Sequence, residues 1–256
     1  MSKNKSTKIL VQCALFLAMG LVLRNFSYMV YMGGGTGMRM GVSGFFTKMP
    51  AILFGPMYGA AVTALTDVLG YIIRPEGAYI FPMTITAACG GALSGLIFKA
   101  VKNKNIETIN TVYLWTILVI GLFGAVNHVS TIYFKNTFWG SFLLSLDKKL
   151  VYFTYGMYIA CVIGAVFYGI NFFLQKKFKK NFMNEYLKIF ITLLIADVMV
   201  TTVNTFILIA YIPTLAKLPF MSIYLPRLVQ EIVSAFINSY VIAYMYELYQ
   251  KISKRF

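Results

Sequence analysis

The chain has 256 residues, of which 59% are hydrophobic and only 12% charged, and its mean hydropathy is +0.73. That balance excludes an ordinary water-soluble domain, which cannot bury so much apolar surface, and the length allows several helices of about 20 residues, each able to cross roughly 30 Å of hydrocarbon. The net charge of +15 does not point to nucleic acid, because the basic residues gather at the ends of apolar runs instead of along one helix face among aromatics.

Lipid offers no hydrogen bonds, so a spanning backbone must be helical or a closed barrel, and the long continuous apolar runs lack the two-residue alternation of a barrel. The expectation is an all-α membrane protein, a polytopic helical bundle of about eight transmembrane helices in the lipid bilayer. In chain order the candidate spans are 8–31, 43–55, 57–73, 81–100, 112–134, 150–174, 185–212 and 223–250. Lys3, Lys5 and Lys8 precede the first, Lys99, Lys102 and Lys104 follow the fourth, Lys176, Lys177, Lys179 and Lys180 follow the sixth, and Lys251, Lys254 and Arg255 end the chain. With these clusters facing inward, both termini are cytoplasmic and the protein sits in the cell membrane.

The first run shows no small-residue cleavage site and continues into aromatics at Tyr28 and Tyr31, so it reads as a retained helix. Between the second and third spans only Phe54, Gly55, Pro56 and Met57 intervene, which predicts a tight helical hairpin on the cytoplasmic side. The glycine-rich 33–37, the segment Arg74-Pro75-Glu76-Gly77, and the stretches 135–149 and 213–219 then lie outside, and the site is expected to open outward. Cys13, Cys89 and Cys161 fall inside apolar runs without paired spacing and read as small core residues. No metal cluster and no cofactor site is visible.

Charged residues in such a chain are informative, since ionisable groups in a bilayer cost several kcal/mol unless paired or wet. Asp67 and Asp197 lie well inside the third and seventh spans, while Arg39, Lys48, Arg74, Arg227 and Glu231 lie near outer ends. Each has a structural alternative. Asp67 could form a buried ion pair with Lys48, Arg227 and Glu231 are one turn apart and could pair, and Arg74 and Lys48 could snorkel. Small residues four apart, Ala14 with Ala18, Gly55 with Gly59 and Gly91 with Gly95, mark faces where another helix can approach closely.

Several of these elements resemble the substrate-binding, or S, components of energy-coupling factor (ECF) vitamin transporters, especially the folate type. The likeness lies in Met38-Arg39-Met40; in Pro50, Phe54-Gly55-Pro56 and Gly59; in Asp67 with Gly70; in Arg74-Pro75-Glu76-Gly77-Ala78-Tyr79; in Pro82, Thr84, Ala87, Gly91 and Gly95; and in Asn204-Thr205 and Leu225-Pro226-Arg227. It covers roughly 8–100 and 185–252, a six-helix core, and leaves 110–180 as an inserted helical pair within one transmembrane domain.

The resemblance implies a subunit that captures folate or a related pterin outside and docks on a transmembrane T component carrying two ATPase subunits. It implies ligand binding by Arg39, Lys48, Asp67, Arg74, Tyr79, Thr84, Asn204 and Arg227, and docking through Ala14 and Ala18. In keeping with it, the sequence has no Gly-x-x-x-x-Gly-Lys-Ser/Thr loop, so ATP-driven work falls to a partner. Another heterocyclic vitamin, riboflavin or thiamin, is the alternative cargo, and a solitary facilitator an alternative mode. An intramembrane serine protease is the rival from another class, through Gly41-Val42-Ser43-Gly44 and the single histidine, His128, but serine chemistry needs a base within hydrogen-bond reach and nothing in the sequence places His128 there.

Overall fold

The computed structural model describes residues 3–31, 37–40, 43–75, 77–146, 150–178 and 182–253, without the side chains of 3–5, 28–31, 37–40, 177–178, 182–183 and 253. Glu76, Lys179, Lys180, Lys254, Arg255, most of the glycine-rich outer segment and Gly41 therefore lie outside the described residues, as do the side chains of Lys3, Lys5, Arg39 and Lys177.

The first helix, α1 (Lys3–Asn25), stops short of the expected 31. Its last carbonyls are taken by Ser27, whose hydroxyl donates to Arg24 O at 2.5 Å, and by the Phe26 amide. The β-favouring run Tyr-Met-Val-Tyr then forms β1 (Tyr28–Tyr31), which pairs antiparallel with β2 (Gly37–Met40), Met29 opposite Arg39. This small ribbon was not expected from the sequence.

Next comes α2 (Gly44–Phe54), whose 11 residues reach only ~16 Å, about half the hydrocarbon core. The expected second span is therefore a half-length helix, and among the described residues seven helices are long and apolar enough to cross. Gly55 makes the turn at φ +103°, a conformation open to glycine, and Pro56 occupies the first helical position of α3 (Pro56–Ile73), where its missing N–H costs nothing. The tight hairpin follows from those two residues.

α3 crosses α4 (Phe81–Val101) at backbone contact. A Cβ on Gly91 would lie 2.4 Å from Gly59 O, and one on Gly95 would lie 2.7 Å from Pro56. The Gly55/Gly59 and Gly91/Gly95 patterns thus interlock with each other.

α5 (Ile106–Tyr133), capped by Asn105, follows, and a short helix α6 (Phe138–Ser145) leads to a π-helical turn at Tyr152–Gly156 and the returning α7 (Met157–Phe178). α8 (Phe182–Tyr211), the one-turn α9 (Pro213–Ala216) and α10 (Phe220–Ser253) complete the bundle. The α5–α7 pair packs on α8 and α10, on the far side of the bundle from α1. The fully buried rings of Tyr113, Tyr186, Phe190 and Phe236 fill that junction, with the Tyr113 hydroxyl 2.8 Å from that of Tyr186 and donating to Gly164 O at 2.9 Å.

Candidate functional site

A cavity of about 280 Å³ lies in the half of the bundle remote from the start of α1 and the end of α10. Every long helix except α5 and α7 contributes to it, and so does α2: Arg24 from α1, Lys48 from α2, Asp67 from α3, Gly90 and Gly91 from α4, Asp197 and Asn204 from α8, and Arg227 and Glu231 from α10. The glycine crossing of α3 and α4 sets its floor on one side. No residue of α5 to α7 reaches it.

The charges are arranged as neighbours of opposite sign. Lys48 Nζ lies 2.6 and 2.5 Å from the two oxygens of Asp197, a residue only 7% exposed. Arg24 Nη1 donates to Thr66 O at 3.1 Å and stands 3.7 Å from Asp67 Oδ1. Arg24 can lie across α3 because Gly70 has no side chain, a Cβ there coming within 2.4 Å of Nε. Glu231 sits among Asp197, Lys48 and Arg227, with the Thr201 hydroxyl beside it. Charged groups at this depth persist only in such company, since each would otherwise be desolvated without compensation.

Asp67 also heads a chain of hydroxyls. Thr84 Oγ1 donates to Asp67 Oδ2 at 2.6 Å, and the Tyr79 hydroxyl is 2.6 Å from Thr84 Oγ1. The Tyr79 ring in turn lies 5.0 Å from that of Tyr71. Asp67 Oδ1 keeps acceptor capacity facing the cavity, because the Arg24 contact is too long for a hydrogen bond. Asn204 accepts a hydrogen bond from Thr86, which fixes its amide at the wall.

Among the residues singled out from sequence, Lys48, Asp67, Asn204 and Arg227 line this cavity, and Thr84 and Tyr79 join it through Asp67. Arg74 does not line it. It is exposed at the C-terminal end of α3, with Nη1 donating to Asn25 O at 3.0 Å. The Arg39 side chain lies outside the described residues. The pairing considered for Asp67 with Lys48 is not formed, since Lys48 takes Asp197 and Asp67 faces Arg24. Arg24 was missed because a lone cation near the end of a long apolar run reads as an interfacial anchor; the signal lay in its position seven residues inside the run expected to end at 31.

Ser43 borders the cavity, whereas His128 stands in α5 with its Nδ1 3.4 Å from the Tyr158 hydroxyl and its ring beside Tyr155. The serine and the histidine belong to different parts of the bundle. Ala14 and Ala18 are exposed on α1, while Cys13 and Gly20 turn inward and Gly20 abuts Thr47.

The family described as ECF-type riboflavin transporter, S component, matches residues 4–166, a stretch running from α1 through α5 and into α7. The Folate transporter FolT of Clostridium novyi (strain NT) is 33% identical over 81 residues, covering 32% of this chain and 47% of that protein, so the chain spans about half the length of this relative. No solved structure matches.

Proposed function

The chain belongs to the ECF-type riboflavin transporter S component family, and on that footing we propose that it captures folate or a related pterin from outside the cell membrane. The observation that carries the reading is Asp67, a carboxylate that accepts one hydrogen bond from Thr84, itself bonded to Tyr79, and keeps acceptor capacity toward a cavity that also holds Arg24, Lys48 and Arg227. A pterin presents an amino group beside a ring N–H, a donor pair that a carboxylate matches with two parallel hydrogen bonds. Folate adds carboxylates, which guanidinium and ammonium groups bind, whereas an uncharged flavin ring calls for no such cations. The partial likeness to a folate transporter points the same way.

Within this reading α1, α2, α3, α4, α8 and α10 are the capturing core and α5–α7 an added pair. Both termini are cytoplasmic, and the exposed face at Ala14 and Ala18 docks on a T component with two ATPase subunits, because small residues let a partner helix approach and slide at little packing cost.

Riboflavin is the second reading, favoured by the description of the matching family. Purification followed by mass spectrometry of the small molecule that travels with the protein decides between them, and titration with folate and riboflavin gives the ratio. Folate is expected to bind tighter, and Asp67→Asn to weaken it by about 1.5–3 kcal/mol with riboflavin unaffected. A protein that carries riboflavin and ignores folate overturns the proposal. For docking, Ala18→Trp should leave vitamin binding intact and abolish ATP-dependent uptake in vesicles with the T component and ATPases, and normal uptake would remove the docking assignment.

A further inference from the structure

Among the described residues the cavity walls carry three cations and three carboxylates, Arg24, Lys48 and Arg227 against Asp67, Asp197 and Glu231. With all six ionised the empty site is neutral. Folate brings carboxylates of its own, so on the cargo reading above, on which this inference rests, its arrival leaves negative charge in excess where an uncompensated charge is costly. A proton taken from water removes that excess and needs no further room.

The three carboxylates differ in how readily they can take it. Asp197 is held at both oxygens by Lys48 Nζ, at 2.6 and 2.5 Å, and protonating it would strand the ammonium. Asp67 accepts from Thr84 at 2.6 Å, stands 3.7 Å from Arg24 Nη1, and has to stay ionised to receive the paired N–H donors of a pterin. Glu231 is in none of the ion pairs that form within 4.0 Å among the described residues, which join Arg24 to Asp67, Lys48 to Asp197 and, far along α10, Lys251 to Glu247.

The groups that face Glu231 are Asp197 and the Thr201 hydroxyl from α8, Lys48 from α2 and Arg227 one turn back on α10, with Arg24 and Asp67 across the cavity. The π-helical turn and α7, which also pack on α10, meet it with Gly156 against Val229 and Gly164 against Phe236, while their Tyr155 and Tyr158 lie by His128. Of the two nearer cations Lys48 is already taken by Asp197, which leaves Arg227, and a guanidinium is the group a vitamin carboxylate claims as a bidentate partner. Glu231 then has the vitamin's carboxylate and Asp197 as neighbours, and like charges that close cannot all stay ionised.

We propose that the protein captures a proton together with the vitamin anion and that Glu231 holds it. The Glu231 carboxylate takes one proton from water as the anion binds and returns it on release, and no covalent bond to the vitamin forms. As a carboxyl it can donate its O–H to an adjacent carboxylate, which turns a repulsion into a charge-assisted hydrogen bond.

The test is calorimetric titration of the purified full chain in detergent with folate, at one pH in two buffers of different ionisation enthalpy, which reads the protons taken up per vitamin bound. Uptake approaching one proton is expected. Folate affinity should rise as pH falls, by up to about tenfold per unit between about pH 6 and 7.5, where the vitamin's own carboxylates stay ionised. Glu231→Gln puts a neutral group of the same shape in place, and should abolish the uptake and leave the affinity flat over that range. Folate binding without net uptake overturns the inference and leaves the cargo reading standing, as does uptake that persists in Glu231→Gln. Failure to bind folate at any pH overturns the cargo reading itself, and this inference with it. Should Glu231→Gln yield no folded protein, Thr201→Val serves instead: loss of the hydroxyl beside Glu231 should displace the pH profile of folate affinity, and an unmoved profile counts against Glu231.

Discussion

The cavity and the α5–α7 pair both bury polar side chains in a membrane protein, and they do so in opposite ways. Asn127, fully buried in α5, spends both ends of its amide, with Nδ2 donating to Phe153 O at 3.1 Å and Oδ1 accepting from Trp139 Nε1 at 3.0 Å. It thereby satisfies a carbonyl within the π-helical turn and ties α6 to α5. The Tyr113 hydroxyl is likewise saturated between Tyr186 and Gly164. In the cavity the groups are charged, drawn from five different helices, and Asp67 retains an unused lone pair beside its Thr84 bond. Saturated neutral groups specify packing, and charged groups with spare capacity await a ligand.

Four substitutions sharpen that contrast, the largest effect first. Gly91→Leu drives a side chain into Gly59 O across the α3–α4 crossing that walls the cavity. It should yield no folded protein, seen as loss of the monodisperse peak in detergent size-exclusion chromatography.

Asp197→Ala strands the Lys48 ammonium and should cost about 3–5 kcal/mol of stability together with vitamin binding. The double variant Lys48→Met, Asp197→Leu should recover the stability, because no charge is then left buried, but not the binding. Recovery of both in a ligand titration would make the pair structural and erase the distinction at that position.

Asn127→Leu should lower stability by about 1–3 kcal/mol, since Trp139 and the Phe153 carbonyl lose their partner. Vitamin affinity should stay within about twofold, because no residue of that pair lines the cavity. Tyr113→Phe, the mildest, removes one hydroxyl from the aromatic junction and should cost about 1 kcal/mol by thermal unfolding, again with affinity unchanged. A large loss of affinity in either variant would show that the pair shapes the site after all.

Helical class, membrane setting, the α2–α3 hairpin and the depth of Asp67 and Asp197 were legible in the sequence, because they rest on properties carried by consecutive residues: apolar run length, a Gly-Pro step, a charge where lipid should be. The half-length of α2 and the early end of α1 were less so, since an apolar run tells where chain prefers lipid and not where a ribbon or a turn interrupts it. Which small-residue pair is packed and which is open could not be read at all. Gly91 and Ala14 sit in the same four-residue spacing, yet one meets a backbone at 2.4 Å and the other is exposed.

What the sequence determined by itself is therefore the kind of solvent this protein folds in and the few positions where that solvent is defied, because burying a charge in lipid is costly wherever the charge ends up. Only the tertiary structure decided the partners. Lys48 and Asp197 are 149 positions apart and meet at 2.5 Å, while Lys48 and Asp67, far closer in the chain, do not pair. Pairing depends on which helix faces converge, and that is fixed by the crossing of glycines on α3 and α4 and by the packing of α8 along α10, neither of which is a property of any single segment.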